Sequence, residues 1–155
     1  MRRTASALLI LSCSKRKKHT TEPLPAIELY DGPAFRVVRK FFREANGAPK
    51  VDVVILSAKY GFISGDDRIG HYDLRMSKKL ASENANLWRG QLIRLLNGRL
   101  YRNVFVNLGR DYMLALPDLA EYVTKMGEIT TANGRIGERL HGLKQWLRAL
   151  AFGQK

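Results

Sequence analysis

The sequence predicts an α/β fold, one domain over residues 1–155 with a mainly parallel central sheet flanked by helices. Three observations carry the prediction. Apolar segments of strand length at Ala5–Ser12, Val51–Ser57 and Asn103–Leu108 run straight into polar loops, as strands covered on both faces do. Amphipathic segments of helical period separate them. A chain of 155 residues, 45% hydrophobic, can also bury one continuous core without disulfide or metal staples.

The first strand, Ala5–Ser12, is too short for a membrane span and lacks the cleavage site of a signal peptide. The basic segment Lys15-Arg16-Lys17-Lys18 follows it at once. Pro23 and Pro25 discourage regular structure from Thr20 to Tyr30, and Asp31-Gly32-Pro33 then supplies a helix start with Asp31 as the N-cap. In the helix Ala34–Ala45, Phe35, Val38, Phe41 and Phe42 form the apolar stripe, and Arg36, Arg39, Lys40 and Arg43 fall largely between them; Asn46-Gly47 ends it. After the strand Val51–Ser57 comes a long loop, Ala58–Met76, of a length that usually carries function. A helix over Ser77–Leu96 leads to the strand Asn103–Leu108 and a helical turn after Gly109. Tyr122–Met126 is a fourth strand candidate, and the helix Gly137–Leu150 buries Leu140, Leu143, Trp146, Leu147 and Leu150.

Charge narrows the partner. With 27 Lys plus Arg against 14 Asp plus Glu, the chain carries a formal charge of +13 and repels itself unless a polyanion or salt offsets it. Nucleic acid is the expected partner, with no membrane and no obligate protein partner. The excess is clustered: Met1 to Thr20 holds no acidic residue, and Gly134 to Lys155 sets Arg135, Arg139, Lys144, Arg148 and Lys155 against Glu138 alone. A lone Cys13 and scattered His19, His71 and His141 predict a reducing, cytoplasmic setting and a protein without metal or cofactor. The glycines of an ATP-binding phosphate loop are missing.

Ligands of doubly wound sheets bind outside the carboxyl ends of the strands, so Cys13–His19, Ser57–Gly61 and Asn107–Tyr112 are expected on one rim. Cys13 beside cations is either an activated thiolate or a small buried hydrophobe. Ser14 and Lys15 suit a phosphate or carbonyl oxygen. Lys59-Tyr60-Gly61 joins a cation, an aromatic face and a flexible backbone, which fits a stacked base, although Tyr60 fits the core equally well. Asp73 is either a helix cap or a carboxylate that stabilises positive charge on a sugar, and Asp66-Asp67 read as turn residues. Asn107 reads a base edge or bonds its own loop.

With these segments laid out, the chain resembles an uncharacterised bacterial and phage family with a Cys-Ser-Lys element after the first strand and a Ser-Ala-Lys-Tyr/His-Gly element after the second. The matching residues are Cys13-Ser14-Lys15, Leu29 to Phe35, Leu56 to Ile63 and Tyr72 to Met76. Lys59-Tyr60-Gly61 and Tyr72 to Met76 also resemble segments of the YaaA family of peroxide-stress DNA-binding proteins. The resemblance implies a uracil-DNA-glycosylase-like fold and, through the anti-phage Brig glycosylase group, excision of a modified base from phage DNA. The expectation is then a DNA glycosylase acting on duplex DNA. Lys15, Arg16, Lys17, Lys18, Arg110 and Arg135 would hold the backbone, and Ser14, Tyr30, Ser57, Tyr60, Tyr72 and Asn107 would form the base pocket. Asp73 and Lys59 would serve the chemistry. The alternative is a non-catalytic DNA- or RNA-binding stress protein.

Overall fold

In chain order the elements are β1 (Arg3–Ser12), β2 (Leu24–Pro25), α1 (Ala26–Leu29), α2 (Pro33–Glu44), β3 (Val51–Ser57), β4 (Gly61–Ser64) and β5 (Arg68–Ile69), followed by α3 (Lys78–Leu96), β6 (Arg99–Asn107), β7 (Val123–Thr131) and α4 (Ile136–Phe152). The structure, a computed structural model, describes residues 3–45 and 50–152. The expected helix end at Asn46-Gly47 lies outside them. Short 3-10 segments, Arg110–Ala115 and Ala120–Tyr122, link β6 to β7.

The sheet has the order β4-β3-β1-β6-β7. Strand β1 pairs parallel with both β3 and β6, β6 pairs parallel with β7, and β4 folds back antiparallel on β3. Alternate side chains of β1 feed two cores, which is why the segment reads as continuously apolar. Leu8 and Ile10 pack under α3 with Trp88, Leu92 and Leu96, while Leu9 and Leu11 pack with Phe35 and Val38 of α2 and Leu143 and Leu147 of α4. All four β1 residues are at most 1% exposed, so truncating Leu9 to Ala would cost roughly 2–5 kcal/mol. The chain leaves β1 toward β3 on one side and returns through α3 to β6 on the other. A switch point therefore lies between the carboxyl ends of β1 and β6.

Several expectations change. The Thr20–Tyr30 segment contains β2 and α1, and β2 pairs antiparallel with β5 at Leu24↔Ile69 and Pro25↔Arg68. The long loop is likewise structured by β4 and β5. Its reversal after β3 depends on Gly61, whose φ of 76° favours glycine and whose missing Cβ makes room for the Gln91 amide and, at 2.5 Å, for Trp88. Asp31 is not the cap of α2: Gly32 holds that position, and the Asp31 carboxylate instead accepts from Arg36 (3.1 Å) and Arg39 (2.5 Å). The cap of α3 is Ser77, whose Oγ accepts from the Leu80 amide at 3.1 Å, so Asp73 caps nothing. Asp67 is a turn residue as expected, accepting from the Ser64 amide at 2.9 Å. Among the described residues no helix is long and apolar enough to cross a membrane.

Candidate functional site

At the carboxyl ends of β1 and β3 the sequence builds a hydroxyl network. Strand pairing continues past β1, with the Cys13 amide donating to the Leu56 carbonyl at 2.9 Å, so Cys13 lies beside the end of β3. Ser57 closes β3 fully buried, and its Oγ accepts from the Lys59 and Tyr60 amides at 3.2 and 3.1 Å. With both lone pairs engaged, its own proton is directed at the Tyr72 hydroxyl, 3.1 Å away. Tyr72 in turn lies 2.6 Å from the Tyr30 hydroxyl.

Burial sets the protonation of this network. It pushes the Cys13 thiol and the Tyr30 hydroxyl upward and the Tyr72 hydroxyl up to about 12. All three are protonated at neutral pH. Burial thus favours the buried-hydrophobe reading of Cys13 over the activated thiolate, since withdrawal from water outweighs the neighbouring Lys17 charge.

Two lysines cover the network. A single antiparallel bridge, Lys17↔Tyr30, and the Lys18 amide donating to the Leu29 carbonyl at 2.8 Å hold the basic loop against the Leu29–Asp31 segment. This bridge carries the Lys17 ammonium to 4.5 Å from the Tyr72 ring centre and 5.8 Å from that of Tyr30. From the other side Lys59 Nζ lies 5.2 Å from the Tyr60 ring and 5.9 Å from Tyr72. Tyr60 and Tyr72 meet edge to face at 5.8 Å. Lys15–Lys18, His19, Asp31 and His71 line an open recess of about 520 Å³ beside this cover. The imidazoles of His19 and His71, separate in sequence, stack there at 5.5 Å.

A second concavity, about 800 Å³, opens at the switch point between β1 and β6. It is lined by Ser12, Asn107, Arg110, Tyr112, Arg135 and Arg139, with the first residues of α2 and α4. Asn107 Oδ1 accepts from Arg139 Nε at 3.2 Å and Nη2 at 2.9 Å, and Nη2 also donates to the Leu108 carbonyl at 2.8 Å.

The expected site residues thus fall into two neighbouring groups. Ser57, Tyr30, Tyr60, Tyr72, Lys17 and Lys59 come together at β1 and β3; Asn107, Arg110 and Arg135 gather at β1 and β6. As stacking surfaces, Tyr30 (0% exposed) and Tyr72 (7%) are enclosed, which leaves Tyr60 as the partly open ring of the three. Ser14 serves its own loop: its hydroxyl donates to the Arg16 carbonyl at 2.7 Å and accepts from the Gly32 amide at 3.2 Å. The oxygen of Asn107 is committed to Arg139. Asp73, next to Tyr72, is exposed and has no hydrogen-bond or ion-pair partner among the described residues.

Sequence reasoning counted Arg139 only as charge, and it read the histidines as scattered. The signal for Arg139 was its place just after the last strand. Reading that strand as ending at Met126 rather than Thr131 kept Ala132–Arg139 off the rim.

Among the described residues no cluster of His, Cys, Asp and Glu could hold a metal ion. No curated protein matches the chain. Among solved structures, AF0587, a protein of unknown function, is similar over 92% of this chain at 16% identity and a TM-score of 0.53, which shows the fold alone. The chain spans 44% of the length of that structure. A family model matches residues 8–145, and the chain belongs to that family, DUF6884, a family of unknown function.

Proposed function

We propose that the protein is a DNA glycosylase that holds duplex DNA across the carboxyl edge of its sheet, flips out a modified base and hydrolyses its N-glycosidic bond. One observation carries the reading: cations suited to phosphates and a hydroxyl-aromatic floor suited to a base share one site. Lys17 and Lys59 lie over Tyr60 and Tyr72, with Ser57 beneath. Phosphates of an incoming strand compete with the ring faces for the two ammonium groups, and their departure opens the aromatic floor. Tyr60 then stacks on the base, and Lys15, Arg16 and Lys18 hold the flanking backbone.

In the reaction the C1′–N bond breaks and a water oxygen bonds to C1′. One water proton goes to the departing base and the other stays on the new C1′ hydroxyl. Asp73 stabilises the cationic sugar of the transition state, and Lys59 assists the leaving base. The reading includes a uracil-DNA-glycosylase-like form of the α/β fold and, as substrate, a hypermodified base of phage DNA. Both rest on the resemblance of Cys13-Ser14-Lys15 and Leu56 to Ile63 to the phage-associated family.

The test is to incubate duplexes carrying normal or hypermodified bases with the protein and score released base and alkali-labile sites. Release that Asp73→Asn abolishes while binding survives supports the reading. Binding without release across the panel contradicts it. The second reading, a non-catalytic DNA- or RNA-binding protein of the YaaA type, is favoured by the exposed, unpartnered carboxylate of Asp73, since catalytic carboxylates are ordinarily held in place.

A further inference from the structure

The arginine cleft at the switch point is separate from the lysine–tyrosine site and its geometry points to a second ligand: we infer that Arg110, Arg135 and Arg139 bind the phosphate of a nucleotide, with Asn107 positioning Arg139. Three features converge. The first is charge without neutralisation. Arg139 is held by neutral oxygens, the Asn107 side-chain carbonyl at 2.9 Å and the Leu108 carbonyl at 2.8 Å, and no carboxylate pairs with it among the described residues. Its full positive charge therefore remains available. Arg110 and Arg135 stand exposed at the same cleft, with Asp111 the acidic residue of its lining. Three guanidinium groups against one carboxylate leave an excess of positive charge that a phosphate can offset.

The second feature is orientation. Nε and Nη2 of Arg139 are spent on Asn107 and Leu108, which fixes the guanidinium plane and leaves Nη1, for which no protein acceptor is present among the described residues. A fork held from behind is preorganised for an anion in front. Asparagine supplies this support without cancelling the charge, which aspartate could not do. The third feature is size and composition. At about 800 Å³ the cleft exceeds what one phosphate group fills, and Tyr112 lines it beside the arginines. An aromatic ring next to a phosphate-binding cluster suits a nucleoside attached to that phosphate. The N-terminal residues of α2 and α4 border the same space and add a favourable field, although the arginines carry the argument.

The inference goes beyond base excision and rests on the nucleic-acid reading only for the source of the phosphate. It is tested by titrating the isotope-labelled full chain, followed by amide resonances, with deoxyadenosine monophosphate, deoxyadenosine, and a short single strand bearing either a 5′-phosphate or a 5′-hydroxyl. The monophosphate is expected to shift the Asn107, Gly109 and Gly134 amides, and the nucleoside is not. Arg139→Gln should weaken the monophosphate about tenfold. Asn107→Asp should weaken it comparably, because the new carboxylate pairs with Arg139; a purely structural Asn107 would tolerate that change. Arg110→Gln, at an exposed position, reports on the same site should Arg139→Gln fail to fold.

The strand arms identify the source. A preference for the 5′-phosphorylated strand marks a strand end, equal response to both strands marks an internal diester, and response to the monophosphate alone marks a free nucleotide. Absence of shifts at these amides with every phosphate compound overturns the inference, as does unchanged affinity in folded Arg139→Gln and Asn107→Asp. Base release assayed on the same variants separates the two claims. Arg139→Gln that no longer takes the monophosphate yet still releases base supports a separate site, whereas a wild-type protein that releases base but shows no phosphate-induced shifts overturns this inference and leaves the glycosylase standing.

Discussion

The hydroxyls of Tyr30 and Tyr72 meet at 2.6 Å although 42 positions separate them, joining the segment before α2 to the loop before α3 beneath Lys17 and Lys59. Neither ring has appreciable access to water, so each hydroxyl depends on its protein partners. Tyr72→Phe strands the Tyr30 hydroxyl and one bond of Ser57, a loss of about 1–3 kcal/mol in urea unfolding. Tyr30→Phe combined with Tyr72→Phe should cost less than the sum of the single changes, since the second substitution removes a group already left without its partner. Strict additivity would mean that the two hydroxyls do not interact.

Alkaline unfolding should follow from the same burial. The ordinary tyrosine value is 10.0; Tyr72 and Tyr101 are pushed up to about 12, in both cases chiefly by burial, and Tyr30 is raised as well. Above pH 10 the unfolded chain releases these protons while the folded chain retains them. Stability is therefore fully present below about pH 10 and is lost as the pH rises toward 12. Urea midpoints measured across that window should fall, and less steeply in Tyr72→Phe. A flat profile would contradict the burial of these hydroxyls.

Much of the architecture was legible because two-sided burial leaves a plain mark. Val51–Ser57 was read with its observed limits, and the helices at Pro33–Glu44, Lys78–Leu96 and Ile136–Phe152 were read within a few residues. What escaped was short or stabilised from afar. Strands β2 and β5 are two residues each and have no local period, since each exists by pairing with the other. Arg39 looked like one more cation on an exposed helix face, yet its guanidinium bonds the Ile27 and Tyr30 carbonyls at 2.9 and 2.8 Å as well as Asp31. Among the site residues, the rim was visible from the strand ends. The burial of Tyr30 and Tyr72 and the hold of Asn107 on Arg139 depend on contacts 32 to 42 positions apart, which no local pattern encodes.

Gly61→Ala should be among the more damaging single-methyl additions. Ala at a φ of 76° is strained, and its Cβ would strike the Gln91 side chain that accepts from the Phe62 amide at 3.0 Å. A loss of roughly 2–4 kcal/mol is expected by chemical unfolding. A loss below about 0.5 kcal/mol, the range of an ordinary surface change, would contradict the tight turn after β3.

Lys15 and Arg16 are exposed and line the recess, and the one ion pair between them and the rest of the fold among the described residues is the long 4.0 Å contact of the exposed Arg16 with Asp31, which Arg36 and Arg39 also hold. Replacing both with Gln should leave thermal unfolding near that of the wild type and weaken duplex binding at low salt. The slope of log K against log salt should fall by about 2, close to one unit per phosphate contact. An unchanged slope would move the backbone contact elsewhere on the protein.

The central claim is that this rim removes a base rather than merely holding DNA. The direct measurement is the intact mass of a duplex containing hypermodified bases after incubation with saturating protein. The account predicts a strand lighter by one modified base and heavier by one water, with the free base in solution and no such product from Asp73→Asn. A DNA mass unchanged across the substrate panel, under conditions where binding is complete, would contradict it.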